Sequence, residues 1–206
     1  MVKEQLDIAQ LTEKQKMRLG LTYIPFDEEL TKDRTLAKKL CFELSKTCPT
    51  DREGIGELLE KIIGDQTDAW IEPPFYCDYG YNISLGKSFY CNHGCMILDG
   101  AKVTIGDNCL FGPNVVIATP GHPLDPEERA RGDEYARAIT IGNNVWLGAN
   151  VTVCPGVSIG DNVVVGAGSV VVKDLPSNTV CVGTPAIVKR SNVNTTANRL
   201  GDKNKA

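Results

Sequence analysis

Ile141-Gly142-Asn143-Asn144-Val145-Trp146, Leu147-Gly148-Ala149-Asn150-Val151-Thr152, Val153-Cys154-Pro155-Gly156-Val157-Ser158, Ile159-Gly160-Asp161-Asn162-Val163-Val164 and Val165-Gly166-Ala167-Gly168-Ser169-Val170 are consecutive hexads, and another opens at Val171. Each starts with an aliphatic residue, and each has Val or Ser in fifth place. A period of six matches neither the helical 3.6 nor an unbroken strand. It is the repeat of a parallel β-helix, in which short strands are broken by a turn every time. The first and fifth residues lie an even number apart, so extended backbone turns both to one side. Between them stand Asn143-Asn144, Ala149-Asn150 and Asp161-Asn162, which include residues that tolerate turn backbone.

Working back from this block, hexads begin at Leu85, Cys91 and Ile97, slip by two residues around Val103-Thr104, and resume at Ile105, Phe111 and Ile117. The pattern then vanishes until Ile141. The intervening stretch, about 118–140, carries three prolines and dense charge. It reads as neither repeat nor helix, and a long loop inside a compact domain is usually functional. Towards the C-terminus the hexads end near Pro176. Val180 to Arg190 reads as a partial turn with an exit strand, and 191–206 as a polar, disordered tail. Residues 69–190 are thus the expected β-helix.

Residues 1–68 differ in texture and read as a helical cap. Thr12-Glu13-Lys14-Gln15 and Thr50-Asp51-Arg52-Glu53 are candidate capping boxes. Leu36, Leu40 and Leu44 suggest the apolar face of a helix from Thr31 to Ser45. Ile55, Leu58, Leu59, Ile62 and Ile63 mark another, which Gly64 can end. Such helices must cover something, and the first β-helix turn is the expected partner. The cap either shields an open sheet edge or also helps build a binding site.

The net charge of −4 argues against a nucleic-acid or acidic-membrane binder. No apolar run approaches the roughly 20 residues of a bilayer span, and Met1 to Asp7 lacks a signal-peptide core, so the cytoplasm is expected. In that compartment the eight cysteines are expected as free thiols. Cys91, Cys95 and Cys109 fall at inward hexad positions, which accounts for Cys91-Asn92-His93-Gly94-Cys95 without a metal.

Of the two histidines, His93 takes an outward hexad position. His122 lies in the interruption, in Thr119-Pro120-Gly121-His122-Pro123, where Gly121 lets the backbone bend and Pro123 keeps it out of helix. An imidazole held at the mouth of a rigid β-helix suits general-base work near neutral pH. The chain has no nucleophile elbow, Walker loop or dinucleotide fingerprint. A direct transfer assisted by one base is simpler than a covalent intermediate.

The hexads, the His122 loop, Ile139 to Gly148 and Gly166 to Asp174 together resemble the hexapeptide acyltransferases. Asp33-Arg34, the segment Glu72 to Ile83 and Phe89-Tyr90-Cys91-Asn92 narrow the resemblance to the maltose and galactoside O-acetyltransferases, over roughly residues 10–190. It implies a mainly β fold, a left-handed parallel β-helix with a small N-terminal α-helical cap. It further implies a homotrimer with acetyl-CoA between neighbouring subunits, no metal, and His122 as the base that activates a sugar hydroxyl. Asp78, Asn92 and Asp99 match or adjoin acceptor-side positions, and Asn92 also meets the donor. Trp146, Gly148, Ala149, Ala167, Val172, Lys173 and Arg190 match the coenzyme side. Gly148 or Ala149 is expected to offer the backbone amide that polarises the thioester. This chain departs from the family at Gly100, where an acid is usual, at Pro25 with Asp27 two residues on, and at Ile187 in place of an arginine. Another small hydroxyl acceptor and a non-catalytic β-helix scaffold are the alternatives. A three-histidine zinc hydratase is disfavoured by the histidine count.

Overall fold

A computed structural model describes residues 7–64 and 67–192. From Trp70 the chain winds as a three-faced parallel β-helix. Face one stacks Trp70–Ile71, Tyr90–Cys91, Leu110–Phe111, Trp146–Leu147, Val164–Val165 and Thr179–Val182, and the antiparallel exit strand Ile187–Ser191 closes it. Face two stacks Tyr76–Cys77, Met96–Leu98, Val116–Ala118, Thr152–Val153 and Val170–Val171. Face three stacks Ile83–Leu85, Val103–Ile105, Ile139–Ile141 and Ser158–Ile159.

The register follows from the hexad. First residues lie directly over one another on face one, Ile71 over Cys91, Phe111, Leu147, Val165 and Cys181, and all are buried. Phe89 meets Phe111 edge to face, 5.0 Å between ring centroids. Burying a Val or Leu is worth about 1.5–3 kcal/mol, and a one-residue slip would turn the whole column outward. The expected inward thiols Cys91, Cys95 and Cys109 are buried, and all eight cysteines are free.

The corners use the fourth residue of the hexad. Asn108, Asn144, Asn162 and Asn178 adopt positive φ of 55–60° between faces three and one. Asparagine tolerates that conformation better than residues whose side chain cannot bond locally. Their side chains also form a ladder: Asn108 Nδ2 donates to Asn144 Oδ1 (3.3 Å), Asn144 to Asn162 (3.1 Å) and Asn162 to Asn178 (2.9 Å).

Among the described residues, three α-helices precede the coils: α1 (Glu13–Arg18), α2 (Glu28–Lys46) and α3 (Arg52–Ile63). Thr12 and Gln15 form the expected capping box. The second box is not used as read, because Asp51 rather than Thr50 caps α3, accepting from Gly54 N. The α2 helix starts earlier than the apolar pattern suggested. Asp27 caps it, bonding the amides of Glu29 and Leu30, so this acid serves the helix end. Its buried stripe is Leu30, Ala37, Cys41 and Leu44, while Leu36 is exposed. Leu36 keeps the four-residue spacing but sits beside that stripe rather than in it. Gly64 ends α3 at φ +87° as expected. Ala37, Cys41 and Leu44 of α2 and the stripe of α3 share one core with Phe75, Cys77 and Phe89 of the first coils, while Leu30 packs in a second cluster with Met17, Tyr23 and Tyr79.

The exit strand continues through Ser191, and Asn192 bonds the Asn162 carbonyl, so the chain is ordered slightly beyond the expected boundary. The rest of the expected tail, 193–206, lies outside the described residues. No described helix is long and apolar enough to cross a membrane. Asn144→Ala places a Cβ without a local hydrogen bond at φ +55° and cuts the amide ladder. It should cost about 1–2 kcal/mol in urea unfolding, whereas Asn144→Gly should recover most of the backbone share.

Candidate active site

The departures from the hexad share one corner. Cys77 to Leu85 and Ile97 to Ile105 each take eight residues instead of six, and Ile117 to Ile141 takes the long insertion. All three connect face two to face three, on successive coils. The apparent phase slip is therefore the middle layer of a stacked protrusion.

Asp99 sits in that middle layer, fully buried. Its Oδ1 accepts from the amides of Asp78 (3.1 Å) and Tyr79 (2.8 Å), and its Oδ2 from that of Asn82 (3.2 Å). This corrects its expected position at the acceptor: its oxygens are consumed in shaping the turn above, which carries Asp78. The reason is the two-residue bulge, which turns a side chain next to an expected acceptor position into the protein. Asp78 itself is half-buried. Burial first, then the nearby Asp99 and Glu134 charges, push its carboxyl up to about 6, against the pull of Arg34 and Lys38. Arg34 from α2 donates to the Tyr79 hydroxyl (2.7 Å) and to the Pro25 carbonyl. The cap thus helps to build this corner as well as closing the barrel end.

The insertion is more structured than its sequence suggested. Pro120–Gly121 pairs antiparallel with Tyr135–Ala136, and between them lies the short helix α4 (Pro126–Ala130), capped by Asp125 with Pro126 in its first turn. That cap and proline were the local signal for a helix. Gly121 is needed here because a Cβ would meet the Tyr135 ring at 2.7 Å. His122 follows, exposed. Its Nδ1 lies 3.1 Å from the Asp133 carbonyl. A carbonyl only accepts, so Nδ1 holds the proton and Nε2 the lone pair. Nε2 lies 3.9 Å from Glu134 Oε2, while Glu134 Oε1 accepts from the Tyr23 hydroxyl. Tyr23, Asp78, His122 and Glu134 thus converge. Sequence reading missed Tyr23 and Glu134, because nothing local marks an interaction between residues 111 positions apart.

The remaining candidates occupy other places. Asn92, Gly148, Ala149 and Ala167 stack at the corner between faces one and two. The Gly148 amide is committed to the Val165 carbonyl at 2.8 Å, which leaves Ala149 as the candidate amide donor. Trp146 projects from face one, 54% exposed, and Arg190 lies on the exit strand opposite Val180. Val172 and Lys173 are exposed just after the last strand of face two. Within one chain, Asn92 and the Ala149 corner are on a different edge of the prism from His122. His93 is spent on the Pro73 carbonyl, 2.6 Å from Nδ1.

Three family models match the chain: bacterial transferase hexapeptide (six repeats) over 138–173, the maltose acetyltransferase hexapeptide capping motif over 16–66, and the hexapeptide repeat of succinyl-transferase over 102–121. Galactoside O-acetyltransferase of Escherichia coli (strain K12) is 43% identical over 177 residues, covering 85% of this chain and 87% of that protein. The crystal structure of a maltose O-acetyltransferase from Clostridium difficile 630 superposes with a TM-score of 0.87 at 44% identity, covering 89% of this chain and 99% of that one. A galactoside acetyltransferase in complex with coenzyme A superposes with a TM-score of 0.84 at 41% identity, over 89% and 92%.

The raised carboxyl of Asp78 has a consequence for stability. Its value moves from 3.8 unfolded to about 6 folded, so its stabilising protonation is complete below the unfolded value and is lost as pH rises through the folded one. Asp78→Asn should therefore stabilise the protein by about 1–3 kcal/mol at pH 8. Urea unfolding at falling pH should show that gain shrinking towards zero below pH 4.

Proposed function

The chain belongs to the maltose and galactoside O-acetyltransferase family of hexapeptide-repeat proteins, and on that premise we propose that it moves the acetyl group of acetyl-CoA to a hydroxyl of a sugar. The observation that carries this reading is the His122 imidazole. It is anchored at Nδ1 by the Asp133 carbonyl and has Nε2 free at the interrupted corner. Nε2 takes the proton of the acceptor hydroxyl as its oxygen attacks the thioester carbonyl. The Ala149 amide donates to the oxyanion that develops. The intermediate collapses to the sugar ester, the carbon–sulfur bond breaks, and the coenzyme thiolate recovers the proton from His122. No covalent enzyme intermediate is required. Asp78 and Glu134 suit an acceptor with several hydroxyls, because each carboxylate can accept from a second one. Asp99 acts behind them by shaping the Asp78 turn.

The coenzyme side is assigned to Asn92, Trp146, Ala149, Ala167 and Val172, with Gly148 allowing close approach and Lys173 and Arg190 meeting phosphates. Asn92, Ala149 and Ala167 lie on a different edge of one prism from His122, Val172 and Lys173, and a homotrimer brings such edges together. Arranged about a three-fold axis, the Ala149 corner of one subunit faces the His122 corner of the next. The outward stripes favour such packing. Face one presents Trp70, Tyr90, Leu110 and Trp146, and face two presents Tyr76, Met96 and Val116. Face three presents only Ser84, Thr104, Thr140 and Ser158, a surface suited to water. The free thiols suit the reducing cytoplasm.

Free-thiol release with acetyl-CoA and a panel of sugars tests the reaction. His122→Ala should lower kcat by about 10²–10⁴-fold with the acetyl-CoA KM near that of the parent, and equal rates would remove His122 from the chemistry. Light scattering should return the mass of three chains; a single-chain mass would contradict a site shared between subunits.

A further inference from the structure

We infer that Tyr23 is a positioning residue for His122: it restrains the Glu134 carboxylate short of the catalytic nitrogen and so holds the imidazole in the tautomer that can act as a base. The inference rests on the reading of His122 as general base. Tyr23 lies between α1 and α2, outside the β-helix, yet it engages the insertion twice. Its backbone forms an isolated antiparallel bridge with Glu134, N to O at 2.9 Å in one direction and 3.0 Å in the other. Its hydroxyl donates to Glu134 Oε1. The neighbouring carbonyl, that of Asp133, is the one that accepts from His122 Nδ1. One clamp therefore fixes both groups that compete for the imidazole proton.

The competition is unequal. A neutral imidazole has one N–H, and a carboxylate is a stronger acceptor than a backbone carbonyl. Glu134 Oε2 stands 3.9 Å from Nε2, beyond hydrogen-bond reach. If the side chain advanced, the favoured tautomer would carry its proton on Nε2. The lone pair would then face Asp133, and no base would face the acceptor. Tyr23 prevents that advance. Tyr23 is 1% exposed. Burial, then its bond to Glu134, drive the phenol pKa upward, so Tyr23 keeps its proton and remains a donor. The bond that the phenol donates keeps Oε1 engaged. The Asp78 carboxyl is also near enough to Glu134 for their charges to repel.

Gly100 completes the arrangement. A Cβ there would lie 3.1 Å from the Tyr23 hydroxyl and 3.3 Å from the Ala136 Cβ. The glycine in the middle layer leaves the volume into which the phenol reaches.

The test uses the intact protein labelled with 15N-histidine. Two-bond proton–nitrogen spectra at alkaline pH distinguish Nδ1–H from Nε2–H, and His122→Ala assigns its signal against that of His93. The parent should show His122 with the proton on Nδ1. Tyr23→Phe, which keeps the ring and the backbone bridge, should move the proton mainly to Nε2. It should lower kcat about a hundredfold with little change in the acetyl-CoA KM. Tyr23→Phe combined with Glu134→Ala should return the proton to Nδ1, which a general loosening of the fold would not do. If Tyr23→Phe does not fold, Tyr23→Leu, which also removes the hydroxyl and keeps the backbone bridge, should move the proton in the same direction. A folded Tyr23→Phe or Tyr23→Leu that keeps Nδ1–H overturns the inference. A tautomer shift in a protein that acetylates no acceptor would leave the restraint standing and remove the proposed reaction instead.

Discussion

Each coil donates its strand amides to carbonyls of the coil stacked on it: Leu110 N to Val145 O, Trp146 N to Val163 O, Gly148 N to Val165 O, all within 2.8–2.9 Å. This continuous parallel ladder constrains the rest of the molecule. A strand can neither lengthen nor slip without breaking bonds to both neighbours and rotating its aliphatic residue out of the column. Extra residues can leave the coil only at a corner. The long insertion, the buried Asp99 and the Asp78 turn all emerge at the same corner because there they disturb no face.

The three corners then differ in use. The one between faces three and one is a ladder of asparagine amides at positive φ, and its demands are met internally. The one between faces one and two is a smooth ledge where Gly112 and Gly148 each approach the backbone of the next coil. The third, between faces two and three, breaks the repeat and gathers Asp78, His122 and Glu134. In this division the regular corners supply rigidity, and the irregular one supplies titratable groups in a partly buried setting where charge is felt strongly.

That irregular corner is completed by residues from the cap. Arg34 holds the Tyr79 hydroxyl and the Pro25 carbonyl, and Tyr23 holds both the backbone and the side chain of Glu134. The cap also closes the barrel end, burying Cys41 and Leu44 of α2 and Leu59 and Ile62 of α3 against the first coils. Covering a sheet edge and positioning a base are therefore joined in one element. The apolar stripes on α2 and α3 dock the cap, and the docking carries Tyr23 to the insertion.

The sequence by itself determined the coil. Its six-residue period marked the column from Cys91 to Val165, the turn residues at fourth positions and the inward thiols, because in a regular solenoid each residue's environment depends only on its place in the repeat. It also marked His122, since a histidine between glycine and proline in a broken repeat is a local signal. Only the tertiary structure decided which residues surround it. Tyr23 meets Glu134 because independent segments stack on one corner, and no local pattern encodes that meeting. Asp99 illustrates the same limit: its sequence position suggested an acceptor contact, but a bulge of two residues turned it inward to the amides of Asp78, Tyr79 and Asn82. Periodicity fixes which side a residue faces only while the period holds, and this site is built where it fails.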